Sequence, residues 1–517
     1  MLFTLDERII QELQRIRTEL EELGKLPSAQ QLAGYYATFR NKFGPEKLAS
    51  LDGEVLLETL HGQGNREGLA YWLEFKDDDE FPAIFGSISG GSAYKFGLFR
   101  RQSTGVWTTG SSQKTVELSV NEAIEVARKH RDQLIAGANV LSEFSVSVND
   151  EEYVQLQRDL RHVAPDIWDT AWGHKYFSLL YPEKLDDFHN TYYSRFHLIR
   201  LLQEPPEVEG RYTAAGRYIA LARTLNLPVN TLTTLLNERN WSTPYNYWRI
   251  GTTAGDSGQT FWPDMRDGNF CAIGWSQLGD LTNITNEREG KEVLRALLKK
   301  YETDKHAIAI GKATQQIFDF RHHIEIGDLV LASHGAHVFG VGRVTGTYKY
   351  DASLGFPHLL PVEWLSLEKW DQPDQLPGIE GKLTTVYRMK RPRNLIEAER
   401  RILTKTVTPG SGPSNGEDKE TVSVPPAHLT GILAKIQNIL ERKGQLILYG
   451  PPGTGKTYWA ERAAAELAAR ASFQKSFDNL TAEQRASIRG ENQTASGKVR
   501  MCCFHPAYGY EDFLEGF

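Results

Sequence analysis

The chain holds 517 residues, 40 % hydrophobic and 24 % charged, with a formal net charge of −7. That balance is ordinary for globular proteins, so substantial cores and about three or four domains are expected, and any contact with nucleic acid must be local. Three cysteines, Cys271, Cys502 and Cys503, lack metal-ligand spacing, which argues against a disulfide scaffold and a zinc site.

Charged residues follow Met-Leu-Phe-Thr at once, and no apolar run approaches membrane-spanning length. The expectation is a cytoplasmic protein with no membrane partner. Thr4-Leu-Asp-Glu7 has the capping-box pattern and leads into Ile9, Ile10, Leu13, Ile16, Leu20 and Leu23 at helical spacing; Gly24 and Pro27 end that helix. Between Leu69 and Phe85 the aromatic runs GLAYWLEF and PAIFGSI read as short strands. KFGLFRR and VWTTG read likewise, after a glycine turn at Gly90-Gly91-Ser92. Ser119-Val-Asn-Glu122 then caps a helix to about Ala136. These features make residues 1–145 an α+β domain.

Residues 146–243 read as a helical domain, amphipathic near Tyr153–Leu160, Tyr192–Gln203 and Arg211–Leu225. Trp172, Tyr176, Leu179 and Leu180 form a core face, which favours packing over acid–base chemistry for the neighbouring His174 and Lys175. His189 and His197 have no acidic or cysteine partner at ligand spacing and read as structural.

From residue 244 the texture changes to short aromatic-rich strands: Tyr247–Ile250, Phe270–Trp275, Ala307–Ile310, Asp328–Ala332, His337–Val344 and Leu360–Leu365, with a helix over Glu289–Tyr301. The order of a YWRI strand, an AIGW-S strand end, a helix, then GDLVLASHG, FGVGRVTG and PVEWL resembles the EVE/YTH group of PUA-like β-barrels over residues 244–402. The resemblance implies a reader domain, placed at 244–403, that holds a modified base flipped out of nucleic acid between aromatic side chains. On that pattern Trp275-Ser276 lie at the lip of the base pocket. Trp262, before that strand, and Tyr348, Tyr350 and Phe356, after FGVGRVTG, are further cage candidates. Stacking is worth about 1–3 kcal/mol per base and extrusion costs a few kcal/mol, so a two-walled cage offsets flipping. A strand-end tryptophan is also an ordinary core residue, and the residues alone leave both readings open. The segment carries 20 Lys+Arg against 20 Asp+Glu between Pro244 and Leu403. Its one basic cluster, Arg388, Lys390, Arg391 and Arg393, is either a set of phosphate-backbone contacts or a solvated edge.

Residues 404–425 have linker composition, rich in Gly, Ser, Pro and Thr. Beyond them Leu429, Ile432, Leu433, Ile436, Ile439 and Leu440 predict an amphipathic helix, and Gln445–Tyr449 a buried parallel strand. Gly450-Pro451-Pro452-Gly453-Thr454-Gly455-Lys456-Thr457 then fits the phosphate-loop pattern at every fixed position, ahead of an alanine-rich helix to about Arg470. Glycines let the backbone amides turn inward onto phosphate oxygens, Lys456 reaches the β- and γ-phosphates, and the Thr457 hydroxyl holds Mg2+. GPPGTGKT is typical of AAA+ ATPases. Phe504–Phe517, FHPAYGYEDFLEGF, resembles the FHPSYSYEDFxEGY segment of McrB-type restriction NTPases, the motor subunits of modification-dependent DNA restriction.

That resemblance implies Mg2+ with GTP or ATP as cofactors, a hexamer-type homo-oligomer, modified double-stranded DNA (5-methylcytosine above all) as target and a separate McrC-like nuclease subunit as partner. The departure is that Pro426–Phe517 supplies 92 residues without a Walker B strand end, sensors or arginine finger. Residues 426–517 are therefore expected to be the N-terminal part of an AAA+ P-loop α/β domain, inefficient in hydrolysis alone. Together the chain reads as a multidomain α+β and α/β protein. The alternative function is an AAA+ ATPase that remodels RNA or protein complexes.

Overall fold

The computed structural model describes residues 5–62, 64–76, 88, 93–101, 104–111, 113–240, 244–255, 258–284, 287–301, 306–374, 380–381, 384–405, 433, 436–437, 439–440, 445–448, 456–473, 475–477, 480–489 and 497–499. Two compact units divide at Val407/Thr408.

The first unit opens with α1 (Glu7–Glu22) and α2 (Ala29–Phe43). Asp6, not Thr4, caps α1 by accepting the Arg8 amide at 3.0 Å; Thr4 lies outside the described residues. After α3 (Pro45–Ala49) and α4 (Gly53–His61), the stretch expected to be a strand at Leu69 is helical. It forms α5 (Leu69–Tyr71), continued by a π turn over Trp72–Lys76. The physical reason is in its pattern: Leu69, Ala70, Trp72 and Leu73 are buried, a helical rather than alternating spacing. PAIFGSI lies outside the described residues apart from Ile88. Strands β1 (Leu98–Arg100), β2 (Trp107–Gly110) and β3 (Thr115–Leu118) form the expected antiparallel meander.

The capping box at Ser119 forms with Glu122, but α6 runs over Val120–Glu143, well past Ala136. Gly137 does not stop it because a glycine is needed there for contact: a Cβ would come within 2.4 Å of the Phe177 ring. Helices α7 (Asp150–Val163) and α8 (Ala171–Leu180) pack on α6. One hydrophobic core consequently runs from Leu32 to Ile219, and the expected boundary near residue 145 falls inside it. A second core joins the α1 stripe to α9 (Thr191–Arg200), α10 (Ala215–Thr224) and α11 (Val229–Arg239). Trp172, Tyr176, Leu179 and Leu180 are buried as expected, and so are His174 and Lys175, whose Nζ donates to the Leu73 carbonyl at 2.9 Å.

The sheet that follows has strand order β11-β4-β6-β7-β9-β5, with β10 on β7 and β8 on β9. Its strands are β4 (Tyr247–Gly251), β5 (Phe270–Ile273), β6 (Leu329–His334), β7 (His337–Val344), β8 (Lys349–Tyr350), β9 (His358–Ser366), β10 (Trp370–Asp371) and β11 (Val386–Arg388). Among the described residues only β4 and β6 pair in parallel. Register shifts at Ala332/Ser333 and Val341/Gly342 add twist, and β9 pairs with β7 through Val362–Ser366 but with β5 and β8 through His358–Pro361. The sheet thereby curls on itself. Between its strands lie α12 (Trp262–Asp267), α13 (Glu287–Tyr301) and α14 (Ala307–Phe318). The strand expected at Ala307–Ile310 is the first turn of α14. Alternation there lasts four residues, whereas Ile310, Ala313, Thr314, Ile317 and Phe318 continue a helical face.

Helix α15 (Pro392–Lys405) ties this sheet to the helical layer. Its Glu399 is buried and accepts hydrogen bonds from Arg200 of α9, from the Tyr245 hydroxyl at 2.6 Å and from the Tyr247 hydroxyl at 2.6 Å. Burial alone would raise its pKa; the Arg200 charge and the two phenols outweigh that and hold it below the usual carboxylate range.

In the second unit, α16 (Lys456–Phe473) packs with α17 (Ala482–Arg489) around Ala465, Ala469, Phe477 and Ile488. Glu466 accepts the Arg470 Nε at 2.7 Å and the Phe477 amide at 2.8 Å. Gln445–Leu448 carry no strand pairing, contrary to expectation, and Ile447 is 89 % exposed. A parallel strand is held by neighbours, and none of the described residues flanks this one. The linker from 406 to 425, most of the predicted helix before the loop, and Phe504–Phe517 lie outside the described residues.

Two predictions follow from the buried polar groups. Glu399→Ala leaves Arg200 buried without its carboxylate, an uncompensated charge that should cost about 3–5 kcal/mol of first-unit stability in denaturant unfolding. The second concerns acid. Burial lowers the pKa of His130 to about 4 and of His174 and His197 to about 3, and lowers that of His61. Each binds its proton more readily unfolded, so its stabilising contribution is full above about pH 6.5 and is lost as pH falls towards 4. Asp186, raised by burial to about 8, works oppositely and loses its contribution as pH rises through 8. Four histidines outweigh one carboxyl, so midpoints measured from pH 8 to 4 should peak near pH 6.5 and fall steeply below it. A midpoint that rises between pH 6 and 4 would refute this.

Candidate functional site

The aromatic candidates gather where β5 ends and β9 begins. Strand β5 stops at Ile273, and Trp275 turns out of it with φ of 60° and ψ of 40°, a left-handed conformation that L-residues other than Asn and Asp rarely adopt. Its carbonyl accepts the Leu278 amide at 2.9 Å, closing the short turn Ser276–Leu278. The same carbonyl lies 3.3 Å from Nε2 of His358, the first residue of β9. The Trp275 ring is half-buried against the curled-sheet core, and Ser276 is exposed.

His358 is the hinge of the arrangement, and sequence reasoning did not single it out. The register places it opposite both Ile273 of β5 and Tyr350 of β8. Its Nδ1 lies 2.8 Å from the Tyr348 hydroxyl, which accepts the Leu281 amide at 3.2 Å. With an amide donating to that hydroxyl, the hydroxyl proton is directed to Nδ1, leaving Nε2–H to donate to the Trp275 carbonyl. Burial lowers the His358 pKa and favours this neutral form. Tyr348 stacks against His358 with centroids 6.0 Å apart, and Tyr350 is tilted against it at 5.4 Å. Arg321 lies over the Tyr348 ring at 5.0 Å and donates to the Leu281 and Thr282 carbonyls. Trp275, Tyr348 and Tyr350 are thus brought together through one imidazole.

The other two aromatic candidates sit deeper. Phe356 is buried, stacked on Phe261 at 4.1 Å and facing Gly274, where an added Cβ would lie 3.4 Å from its ring. Trp262 is also buried, between Phe339 at 5.8 Å and Trp364 at 4.9 Å, so its ring belongs to the core. A cavity of about 320 Å³ adjoins the end of the Ser276–Leu278 turn, against α13. Leu278, Leu281 and Val293 give it apolar walls, and Asp280, Asn283 and Glu289 polar ones; none of the six predicted pocket residues lines it. Hydrogen bonds from the Thr282 hydroxyl at 2.7 Å and amide at 2.9 Å lower the Asp280 pKa and keep it an acceptor.

The basic cluster is divided. Arg393 pairs with Glu204 at 2.8 Å, while Arg391 donates to the Asp374 carbonyl at 3.3 Å. Arg388 rests over the Tyr192 ring at 5.9 Å, and Lys390 is exposed. Of the phosphate loop, Gly450–Gly455 lie outside the described residues; Lys456 and Thr457 begin α16. Among the described residues no group of three His, Cys, Asp or Glu is placed to hold a metal, and no helix is long and apolar enough to cross a membrane.

Comparison with known proteins gives two family matches. Residues 446–499 match the AAA family, described as ATPase family associated with various cellular activities. Residues 248–390 match a family described as Domain of unknown function (DUF8426). The chain is also 34 % identical over 85 residues to the Type IV methyl-directed restriction enzyme EcoKMcrB subunit of Escherichia coli (strain K12). The chain is similar to an McrB-like AAA-type ATPase. The similarity covers 16 % of this chain and 14 % of that relative's length. Nucleotide, with Mg2+, is what the AAA family uses. No solved structure gives a significant match. The match over 248–390 runs from the second residue of β4 through β11, and so takes in Trp275, His358 and the adjacent cavity within one family segment.

The Tyr348 hydroxyl links three groups, so Tyr348→Phe should leave the Leu281 amide and His358 Nδ1 without partners. We expect a loss of about 1–3 kcal/mol in denaturant unfolding and a shift in tryptophan emission as the Trp275 turn loosens. An unchanged midpoint and spectrum would remove His358 from its organising role.

Proposed function

We propose that this chain is the target-recognising, nucleotide-binding subunit of a modification-dependent DNA restriction system. Residues 248–390 read a modified base, of the 5-methylcytosine kind, in double-stranded DNA. The loop Gly450–Thr457 holds GTP or ATP, with Lys456 on the phosphates and Thr457 on Mg2+. The AAA-type segment assembles into a hexamer-type ring that recruits a separate McrC-like nuclease. The similarity to the restriction subunit and the AAA match support the motor half of this reading.

For the reader half, the observation that carries it is Trp275: a half-buried indole at a strand end, held in a left-handed turn by a neutral histidine, beside a cavity of about 320 Å³. A backbone conformation that costs of order 1–3 kcal/mol persists where function or its surroundings demand it. An indole at that corner offers one stacking wall for an extruded base. Asp280 and Asn283 offer an acceptor and an amide for the amino and carbonyl edge of cytosine.

Duplexes carrying 5-methylcytosine, 5-hydroxymethylcytosine or plain cytosine test the reading. A modified duplex should bind more tightly than the plain one, and Trp275→Ala should weaken it by about 5- to 150-fold, the equivalent of one lost stacking contact. Equal affinity for all three duplexes, unaffected by the substitution, would favour an AAA+ remodelling ATPase acting on RNA or protein.

A further inference from the structure

A second cavity, of about 390 Å³, lies where α1, α9, α11, β7 and α15 converge, away from the Trp275 corner. Its charged lining is unusual: Arg8, Arg200, Arg239 and Arg343 against Glu12 and Glu399. Three of the four guanidiniums are matched. Arg8 holds Asp6 through Nε at 2.9 Å and a terminal nitrogen at 2.7 Å. Arg239 donates to Glu12 at 2.8 Å and to the Arg200 carbonyl at 2.9 Å, and Arg200 donates to Glu399 and to Asn240 at 2.9 Å.

Arg343 is the fourth. It makes no hydrogen bond or ion pair among the described residues, and its cation sits over the Tyr245 ring at 5.6 Å. The Arg200 guanidinium lies over that same ring, also at 5.6 Å. Two cations therefore crowd one phenol whose hydroxyl is already given to Glu399; the strand register sets the exposed Glu363 opposite Arg343, without an ion pair between them. Glu399 is saturated by Arg200, Tyr245 and Tyr247, so it has little left to neutralise Arg343. The cavity carries a surplus positive charge with unspent guanidinium donors facing partly desolvated space.

We propose that this cavity binds a small phosphorylated molecule, with Arg343 as the primary phosphate ligand and Arg200 and Arg239 as flanking donors. Two features fix the chemical class. The surplus charge calls for an anion, and a guanidinium fork favours phosphate or carboxylate geometry over a spherical ion. The volume is in the range that accommodates a nucleotide-sized ligand and excludes a duplex. None of the cavity's lining residues belongs to the nucleotide loop at Gly450–Thr457. Because Glu399 belongs to α15, a ligand here would stabilise the anchorage of the last helix before residue 408. The role that follows is that of a small-molecule effector site.

The test uses the whole chain carrying Lys456→Ala, which removes the lysine expected to meet phosphate at the nucleotide loop. Inorganic pyrophosphate in magnesium-free buffer is titrated by calorimetry, and unfolding midpoints are measured with and without it. Saturable one-to-one binding and a raised midpoint are expected. Adding Arg343→Gln should weaken binding by at least about tenfold without lowering the unliganded midpoint, since that side chain has no hydrogen bond to lose. Arg343→Lys, which keeps the charge but not the fork, should fall between. Absence of saturable binding at millimolar pyrophosphate overturns the proposal, and so does equal affinity in Arg343→Gln. A short DNA duplex that needs Arg343 when pyrophosphate does not bind would also overturn it, by making the arginine a nucleic-acid contact.

Discussion

The first unit depends on one buried carboxylate. Glu399 is removed from water and would be intolerable there without the guanidinium of Arg200 and the hydroxyls of Tyr245 and Tyr247. These four groups come from α9, from the approach to β4, from β4 itself and from α15. Satisfying a single charge therefore fixes the helical layer, the first strand of the curled sheet and the closing helix against one another. Strand β4 pairs with β6, β6 with β7, β7 with β9 and β9 with β5. Because side chains alternate along each of these strands, a one-residue slip anywhere in the series would turn His358 away from Trp275. The position of the candidate site is thus inherited, strand by strand, from an electrostatic constraint at the far end of the series.

How much of this was legible in the sequence varied with the range of the forces involved. Ser119 and Glu122 form the expected capping box because capping is a contact within one turn. Strands β4, β6, β7 and β9 stood out as compact apolar or alternating runs. Leu69–Phe75, Ala307–Ile310 and Gln445–Leu448 misled, the first two because short apolar runs fit either period until packing selects one. Ala307–Ile310 became helix because the apolar face continues to Phe318, beyond the window that suggested a strand. The aromatic candidates were visible as residue types, yet their separation into a corner set (Trp275, Tyr348, Tyr350) and a core set (Trp262, Phe356) required the fold. His358 gave no local signal: an imidazole before a strand acquires meaning only from the register that sets it beside Trp275. The four arginines of the second cavity are separated by most of the chain and have no sequence signature at all.

The two cavities place opposite demands on the same sheet. At the Trp275 corner the protein holds a strained backbone and an apolar ring at the surface, and it does so with neutral groups: an amide, a phenol and an uncharged imidazole. Neutral donors suit a site whose occupant is recognised by shape and stacking, since they add little field to discriminate against an uncharged base. The other cavity is organised by charge, with three carboxylates engaging three guanidiniums and a fourth guanidinium left over. A fold built for stability alone would gain by replacing Arg343 with an apolar residue over Tyr245, because a partly buried cation without a counter-charge is a net cost. Its presence beside an already matched network is the physical reason to propose separate recognition sites at the two ends of the sheet, one for an aromatic group and one for an anion.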